Sequence, residues 1–277
     1  ALRDLCGKKV LIMKIVFIGA GNMAEAIVAG ILKQQIVDAE EICVTDINED
    51  RLAHFTEQYG VGRSMENPEA VAEADVVVLS VKPQIFPDVW PEVVDALHPG
   101  ALVISIMAGI SSRTIAGKHP IRVVRVMPNT PALVGEGAAG IAPGAFATDE
   151  DLETAQKLLG AVGVSVIVKE EEIDAVTALS GSGPAYVFYL LEAMLAAAEQ
   201  MELDPGFSRE LALATVIGAA KLMQETGEDA EALRKKVTSK GGTTAAAIET
   251  MEAHGVKDSI IAALLAAQAR SVELSNG

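Results

Sequence analysis

The thirteen residues from Val237 to Glu249, VTSKGGTTAAAIE, hold a dense group of side chains that can do chemistry. Ser239 to Thr244 place two glycines and three hydroxyls ahead of an Ala-rich helical pattern that runs from Ala245. Gly241 and Gly242 let the backbone come close to a ligand. The free N–H groups of the new helix then point at that ligand with the positive end of the dipole. Ser239, Thr243 and Thr244 add hydrogen bonds or cap the helix themselves. Spacing alone fits two readings equally, an anion cradle and a plain loop with an N-cap. If an anion binds, it is a carboxylate or a phosphate.

A second group lies near the start of the chain. Lys14–Ile18 (KIVFI) is a short β-rich run that leads into Gly19-Ala20-Gly21-Asn22-Met23-Ala24, and a helical pattern follows to about Lys33. This is the G-x-G-x-x-A form of the dinucleotide fingerprint in its strand–turn–helix setting. Gly19 permits the tight turn, Gly21 lets a pyrophosphate approach, and Ala24 lets helix and strand pack closely. The next strand, Glu41–Thr45, ends in Asp46, where an acidic residue would meet the adenosine ribose of NAD. Ile47, Asn48, Glu49 and Asp50 supply no cation for a 2′-phosphate before Arg51, so the sequence leans toward NADH. An arginine from another loop would reverse that lean.

The elements that must position these groups follow from the patterning. Ala74–Ser80, Ala101–Ile106 and Ile121–Val126 read as buried parallel strands, with Val164–Val168 as the last. Their carboxyl-end loops, Val81-Lys82-Pro83, Met107-Ala108-Gly109 and Met127-Pro128-Asn129-Thr130-Pro131, should border a cofactor. Lys82 reads as a phosphate or nicotinamide neighbour, or as a solvated lysine. From about Glu170 the period becomes helical. Ile173–Met201 carries Ser180-Gly181-Ser182-Gly183-Pro184 near its start, where Pro184 breaks or kinks the helix. Asp204-Pro205-Gly206 reads as a turn, with Ser208 capping a helix to about Glu225. A short helix over Asp229–Val237 and helices at 245–253 and 258–274 finish the chain. Ile260, Ile261, Leu264, Leu265 and Val272 give the last helix more apolar surface than a lone terminal helix needs, which predicts a homodimer. The fold expected is α/β: an N-terminal Rossmann domain with a parallel-type sheet over 13–168, and an all-α dimerisation domain over 169–277. Met13 reads as a natural start, and 1–12 as an extension.

Composition narrows the function classes. A net charge of −16 and only 4% aromatic residues argue against a nucleic-acid partner, which needs basic patches and stacking platforms. Cys6 and Cys43 make no disulfide framework, which fits a cytoplasmic location. His54, His98, His119 and His254 lie far apart, so no metal site is expected. No uncharged apolar run reaches the roughly 18 residues of a membrane span, so no membrane partner is expected.

From about Met13 to its C-terminus the chain resembles the pyrroline-5-carboxylate reductases. The resemblance rests on FIGAGNMA, SVKP, MPNTP, LSGSGPAY and VTSKGGTT, the last three being the more specific. That family commonly has Pro where Lys240 stands. The resemblance implies hydride transfer from NAD(P)H to the C=N bond of a small imino acid, giving proline. It also implies an interlocked homodimer through the C-terminal helices, often assembled into decamers. Ser239, Gly241, Gly242, Thr243 and Thr244 would then hold the substrate carboxylate. Gly19, Ala20, Gly21, Asn22, Met23, Asn67, Ser80, Val81, Lys82, Pro83 and Ala108 would line the cofactor, and Thr45 or Asp46 would meet the ribose. Thr177 is the hydroxyl named as neighbour of the ring nitrogen, although a helix hydroxyl is the commoner fate of a threonine. The β-hydroxyacid dehydrogenases share this plan but use a lysine on the inter-domain helix, and Gly181 to Gln200 contains none. A reductase of another cyclic imine and a non-catalytic dinucleotide sensor are the competing readings.

Overall fold

The computed structural model describes residues 13–276; the extension read at 1–12, with Cys6, lies outside the described residues. The chain forms two compact units, one running up to Ser182 and resuming at Ala267, the other Gly183–Ala266.

In the first unit strands and helices alternate: β1 (Ile15–Ile18), α1 (Asn22–Lys33), β2 (Ile42–Thr45), α2 (Glu49–Tyr59), β3 (Gly62–Ser64), α3 (Asn67–Val71), β4 (Val76–Leu79) and α4 (Phe86–Ala96). They continue as β5 (Leu102–Ser105), α5 (Ser112–Ala116), β6 (Arg122–Met127), β7 (Gly137–Pro143), α6 (Asp149–Leu159), β8 (Gly163–Ile167) and the short α7 (Ile173–Val176). The described residues make an eight-stranded sheet in the order β3-β2-β1-β4-β5-β6-β7-β8. The first six strands in chain order are parallel, whereas β7 runs antiparallel to β6 and β8 runs parallel to β7. Every position of β1 (IVFI), β4 (VVVL) and β5 (LVIS) is buried, as central parallel strands covered on both faces must be. Phe17, Ile27, Ile31 and Phe55 fill the core on one face, and Val16, Ile18, Trp90 and Ile115 fill it on the other. The chain winds outward from β1 to β2 and β3, then crosses back through α3 to β4 on the other side of β1, so the switch point opens above the carboxyl end of β1.

Two strands are not anticipated by the patterning. β3 (GRS) is three polar or small residues at the sheet edge, and β7 (GAAGIAP) has Ile141 as its one β-branched residue. The small residues of β7 are required by close packing. A Cβ on Gly137 would come 2.8 Å from the Val162 carbonyl oxygen, and one on Gly140 would come 2.8 Å from Val176 Cγ1. Past α7 the chain makes a π-helical turn over Thr177–Gly181.

The second unit is helical: α8 (Gly183–Gln200), α9 (Pro205–Thr226), α10 (Ala230–Lys236), α11 (Thr243–Ala253) and the first part of α12 (Val256–Asn276). Pro184 sits in the first turn of α8, where its missing N–H leaves no helical bond unmade. The cap of α9 differs from expectation. Asp204 is the N-cap, accepting from the N–H groups of Gly206 and Phe207, while Ser208 lies inside the helix and donates back to the Asp204 carbonyl. Among the described residues of this unit only Ala198, Ser208 and Ala212 are buried. Phe188, Tyr189, Phe207, Leu211, Ile260 and Leu265 are all exposed, so the unit has helices with apolar faces and almost no core of its own. No helix among the described residues is long and apolar enough to cross a membrane.

Candidate active site

The carboxyl ends of β1, β2, β4 and β5 carry the predicted cofactor residues. Gly19 has φ +102°, and a Cβ there would lie 2.8 Å from the Ser80 carbonyl oxygen, so the turn between β1 and α1 needs glycine on both counts. The Gly19 N–H donates to the Thr45 carbonyl at 2.8 Å, and the Ser80 hydroxyl lies 2.9 Å from the Ile18 carbonyl oxygen and 2.7 Å from that of Gly19. Three strand ends are thereby tied to one turn. Gly21 is the N-cap of α1 with no side-chain cap, which leaves the first-turn N–H groups of Asn22 and Met23 facing outward at a positive helix end. Ala20 is buried, whereas Asn22 and the side chains of Lys82 and Ala108 are exposed. Val81 and Pro83 are half-buried at the end of β4.

Asp46 and Thr45 have different surroundings. Thr45 is wholly buried, and its hydroxyl donates to Asn67 Oδ1. Asn67 in turn donates to Glu92, 3.0 Å away. Asp46 is half-buried at the strand end, where its carboxylate accepts from the N–H of Ala20 at 2.7 Å and of Asn48 at 2.9 Å. Each oxygen of Asp46 still has a lone pair for a ribose hydroxyl.

Behind this turn is a cluster that the sequence reading did not single out. Glu25 lies directly after the fingerprint alanine and accepts from Arg51 Nη2 at 2.6 Å, His54 Nε2 at 2.7 Å and the Tyr59 hydroxyl at 3.1 Å. Burial pushes the Glu25 carboxyl up, but the hydrogen bonds from Arg51, His54 and Tyr59 and the Arg51 charge outweigh it and hold it at about 2. Arg51 also donates through Nε to the Ala20 carbonyl at 2.8 Å and lies over the Phe55 ring, 5.3 Å from its centroid. The one sequence signal available was an acidic residue in the first turn of α1.

In the second unit, the VTSKGGTT loop turns sharply at Gly241, whose φ is +72°. The Gly242 N–H donates to the Ser239 carbonyl at 3.0 Å, and a Cβ on Gly242 would lie 2.5 Å from the Ser239 hydroxyl oxygen. Gly242 is the N-cap of α11 and supplies no side chain, so the helix opens at Thr243 and Thr244 with no side-chain cap. Ser239, Lys240 and Thr243 are exposed and Thr244 is half-buried. This arrangement can hold a carboxylate by backbone N–H groups and hydroxyls.

Thr177 begins the π-helical turn in the first unit, with its hydroxyl donating to the Ile173 carbonyl at 2.8 Å. Its lone pairs are left to accept. Asn129, from MPNTP, donates to the Ser180 carbonyl of the same turn at 3.0 Å. Among the described residues no group of His, Cys, Asp and Glu is placed to hold a metal ion.

Residues 170–274 match the family model described as pyrroline-5-carboxylate reductase dimerisation, and residues 14–109 match one described as NADP oxidoreductase coenzyme F420-dependent. The pyrroline-5-carboxylate reductase of Haemophilus influenzae is 46% identical over 268 residues, covering 94% of this chain and 97% of its own. The chain belongs to the pyrroline-5-carboxylate reductase family. A solved member from Coxiella burnetii superposes with a TM-score of 0.89 at 41% identity, covering 95% of this chain and 98% of its own. The Plasmodium falciparum pyrroline carboxylate reductase, solved with NADP bound, superposes with a TM-score of 0.85 at 26% identity, covering 96% and 100%. The expected α/β class, with its Rossmann-type first half and helical dimerisation region, agrees with these matches.

Proposed function

We infer that the protein is an NAD(P)H-dependent oxidoreductase that reduces the C=N bond of 1-pyrroline-5-carboxylate to L-proline, the last step of proline biosynthesis. The observation that carries this reading is 46% identity to a reductase of that name over 94% of the chain. The dinucleotide turn and the glycine-hinged carboxylate loop are both intact within that span.

The residues fit a bound dinucleotide. Gly19 leaves no room for a Cβ beneath the Ser80 carbonyl, and the open N-terminus of α1 offers N–H groups to a pyrophosphate. When bound, NAD(P)H supplies the hydride. Asn22, Met23, Asn67, Ser80, Val81, Lys82, Pro83 and Ala108 are proposed to line it, with Asp46 on the ribose, since the Thr45 hydroxyl is buried against Asn67. Ser239 and the Gly241–Thr244 stretch are proposed to fix the substrate carboxylate through N–H and hydroxyl donors. Fixing that group sets the ring's orientation, and an iminium is already a good hydride acceptor, so positioning carries most of the catalysis. Thr177 is proposed to accept a hydrogen bond from the iminium N–H, because its own proton is directed at the Ile173 carbonyl. The product ring nitrogen stays protonated, and no lysine general acid is required.

The helical region is proposed to pair with a second copy as a homodimer, with a decamer as the larger assembly, and the enzyme is proposed to act in the cytoplasm. Functional domains at 13–168 and 169–277 remain our proposed division. The test is oxidation of NADH and NADPH with 1-pyrroline-5-carboxylate, measured beside other cyclic imines. Turnover confined to another imine would overturn the substrate, and binding of cofactor without any turnover would overturn the enzyme.

A further inference from the structure

We propose that this reductase is selective for NADH, and that Glu25 is the positioning residue that keeps Arg51 from serving a 2′-phosphate. The inference rests on the reductase reading and deepens it at the cofactor site.

Asp46-Ile47-Asn48-Glu49-Asp50, the stretch that leaves β2 and opens α2, contains three carboxylates and no cation. The Asp46 carboxylate is fixed by the N–H groups of Ala20 and Asn48, at the strand end where the ribose 2′ position sits in a Rossmann fold. A 2′-phosphate there would face that charge and would need a cation to offset it. Arg51 is the first cation along the chain, and its geometry commits it elsewhere. Glu25 takes Nη2 at 2.6 Å, the Ala20 carbonyl takes Nε at 2.8 Å, and Phe55 lies under the guanidinium. His54 and Tyr59 hold the other Glu25 oxygen, so the carboxylate cannot swing away with the arginine. A further basic side chain, Arg63, lies on β3 in register with Val44, two residues short of Asp46. It lines a cleft together with Glu49 and Asp50, two more carboxylates. The same cluster does a second job, because Arg51 on the Ala20 carbonyl braces the glycine turn.

The test is equilibrium binding of NAD+, NADP+ and 2′-AMP to the intact protein by calorimetry, beside steady-state rates with NADH and NADPH. Wild type is expected to bind NAD+ at least tenfold more tightly than NADP+ and to bind 2′-AMP undetectably. Glu25→Ala is expected to narrow the NAD+/NADP+ ratio at least fivefold by strengthening NADP+, and adding Arg51→Gln is expected to cancel the gain. Should Glu25→Ala not fold, Glu25→Gln keeps the side chain's size, removes its charge, and is expected to narrow the ratio at least threefold. A wild-type preference below tenfold, or a preference for NADP+, overturns the proposal. So does a Glu25 variant that weakens both dinucleotides equally, since that is a structural role only. The binding ratio is read without substrate, so loss of imine turnover with the ratio intact would sink the reductase reading and leave this one standing.

Discussion

The side-chain amide of Asn129 donates to the carbonyl oxygen of Ser180 across 3.0 Å, joining the MPNTP loop to the π-helical turn of LSGSGPAY. The other end of the same amide accepts from the Ala138 N–H at 2.8 Å, so one nearly buried side chain holds the end of β6, the start of β7 and the turn that begins at Thr177. π-Helical turns are rare and cluster at functional sites. Here the Ser182 N–H bonds back to the Thr177 carbonyl, and Asn129 supplies the donor for the Ser180 carbonyl.

Replacing Asn129 by alanine should therefore take the side-chain partner from two half-buried backbone groups, the Ser180 carbonyl and the Ala138 N–H. The expected cost is about 2 kcal/mol, since each unsatisfied buried group costs about 1–3 kcal/mol before water enters the gap. Urea unfolding at fixed protein concentration measures it. A loss below about 0.5 kcal/mol would mean that Asn129 is not holding the turn.

Gly19 and Gly21 should separate folding from cofactor binding. Gly19→Ala meets both a left-handed φ and the Ser80 carbonyl at 2.8 Å, so it should lower stability by about 1–3 kcal/mol and weaken dinucleotide binding as well. Gly21 has an ordinary extended backbone, and its Cβ would reach the Ser80 carbonyl only at 4.0 Å. Gly21→Ala should keep its melting temperature within a degree or so while losing roughly tenfold or more in NADH affinity. Equal losses of stability in the two variants would contradict this assignment.

The parts legible in the sequence are those where local pattern and burial agree. KIVFI, VVVL and the run around Val123 read as buried strands and form β1, β4 and β6, and the fingerprint glycines stand where the turn requires them. The loop behind Gly241 was equally legible, because a glycine pair before a helix start leaves the same mark in sequence and in space. β7 was not, because its glycines and alanines answer to Val162 and Val176 across the fold and not to strand propensity. The Glu25 cluster was hidden for a related reason: its members come from α1 and α2, and only folding brings them together. The Asp204 cap was missed because Ser208, a residue type equally suited to capping, stood four residues on.

Glu25 should also leave an acid signature. Its folded pKa of about 2 lies below the ordinary 4.5, so its contribution is complete above about pH 4.5 and is lost as pH falls through about 2. At 1.36 kcal/mol per unit the shift corresponds to a ceiling of roughly 3 kcal/mol for a side chain that is 21% exposed. Wild type should exceed Glu25→Gln in stability at pH 7, and the gap should close between pH 4.5 and pH 2. A gap constant across that window would place the effect in packing and not in charge.

The proposed substrate residues should split by kinetic parameter. Thr244→Ala removes a hydroxyl from the proposed carboxylate loop, so KM for 1-pyrroline-5-carboxylate should rise about tenfold with little change in kcat, the mark of uniform binding. Thr177→Ala should instead lower kcat, with Thr177→Ser restoring it, because a serine hydroxyl can make the same bond to the Ile173 carbonyl. Unchanged turnover in Thr177→Ala would remove that residue from the mechanism.

The helical unit should be stable only as part of a homo-oligomer. Leu211 on α9 is 62% exposed and Leu265 on α12 is 60% exposed, in a unit whose described residues bury only Ala198, Ser208 and Ala212. Burying one leucine is worth about 1.5–3 kcal/mol, and a two-fold interface counts each position twice. Leu211→Asp should thus cost the dimer at least about 3 kcal/mol, more than a hundredfold in dissociation constant. Light scattering should give wild type at least twice the chain mass at micromolar concentration, and Leu211→Asp a smaller, concentration-dependent mass with a lower melting temperature. A wild type that is monomeric there would leave these apolar faces uncovered in water, against the dimerisation match over residues 170–274.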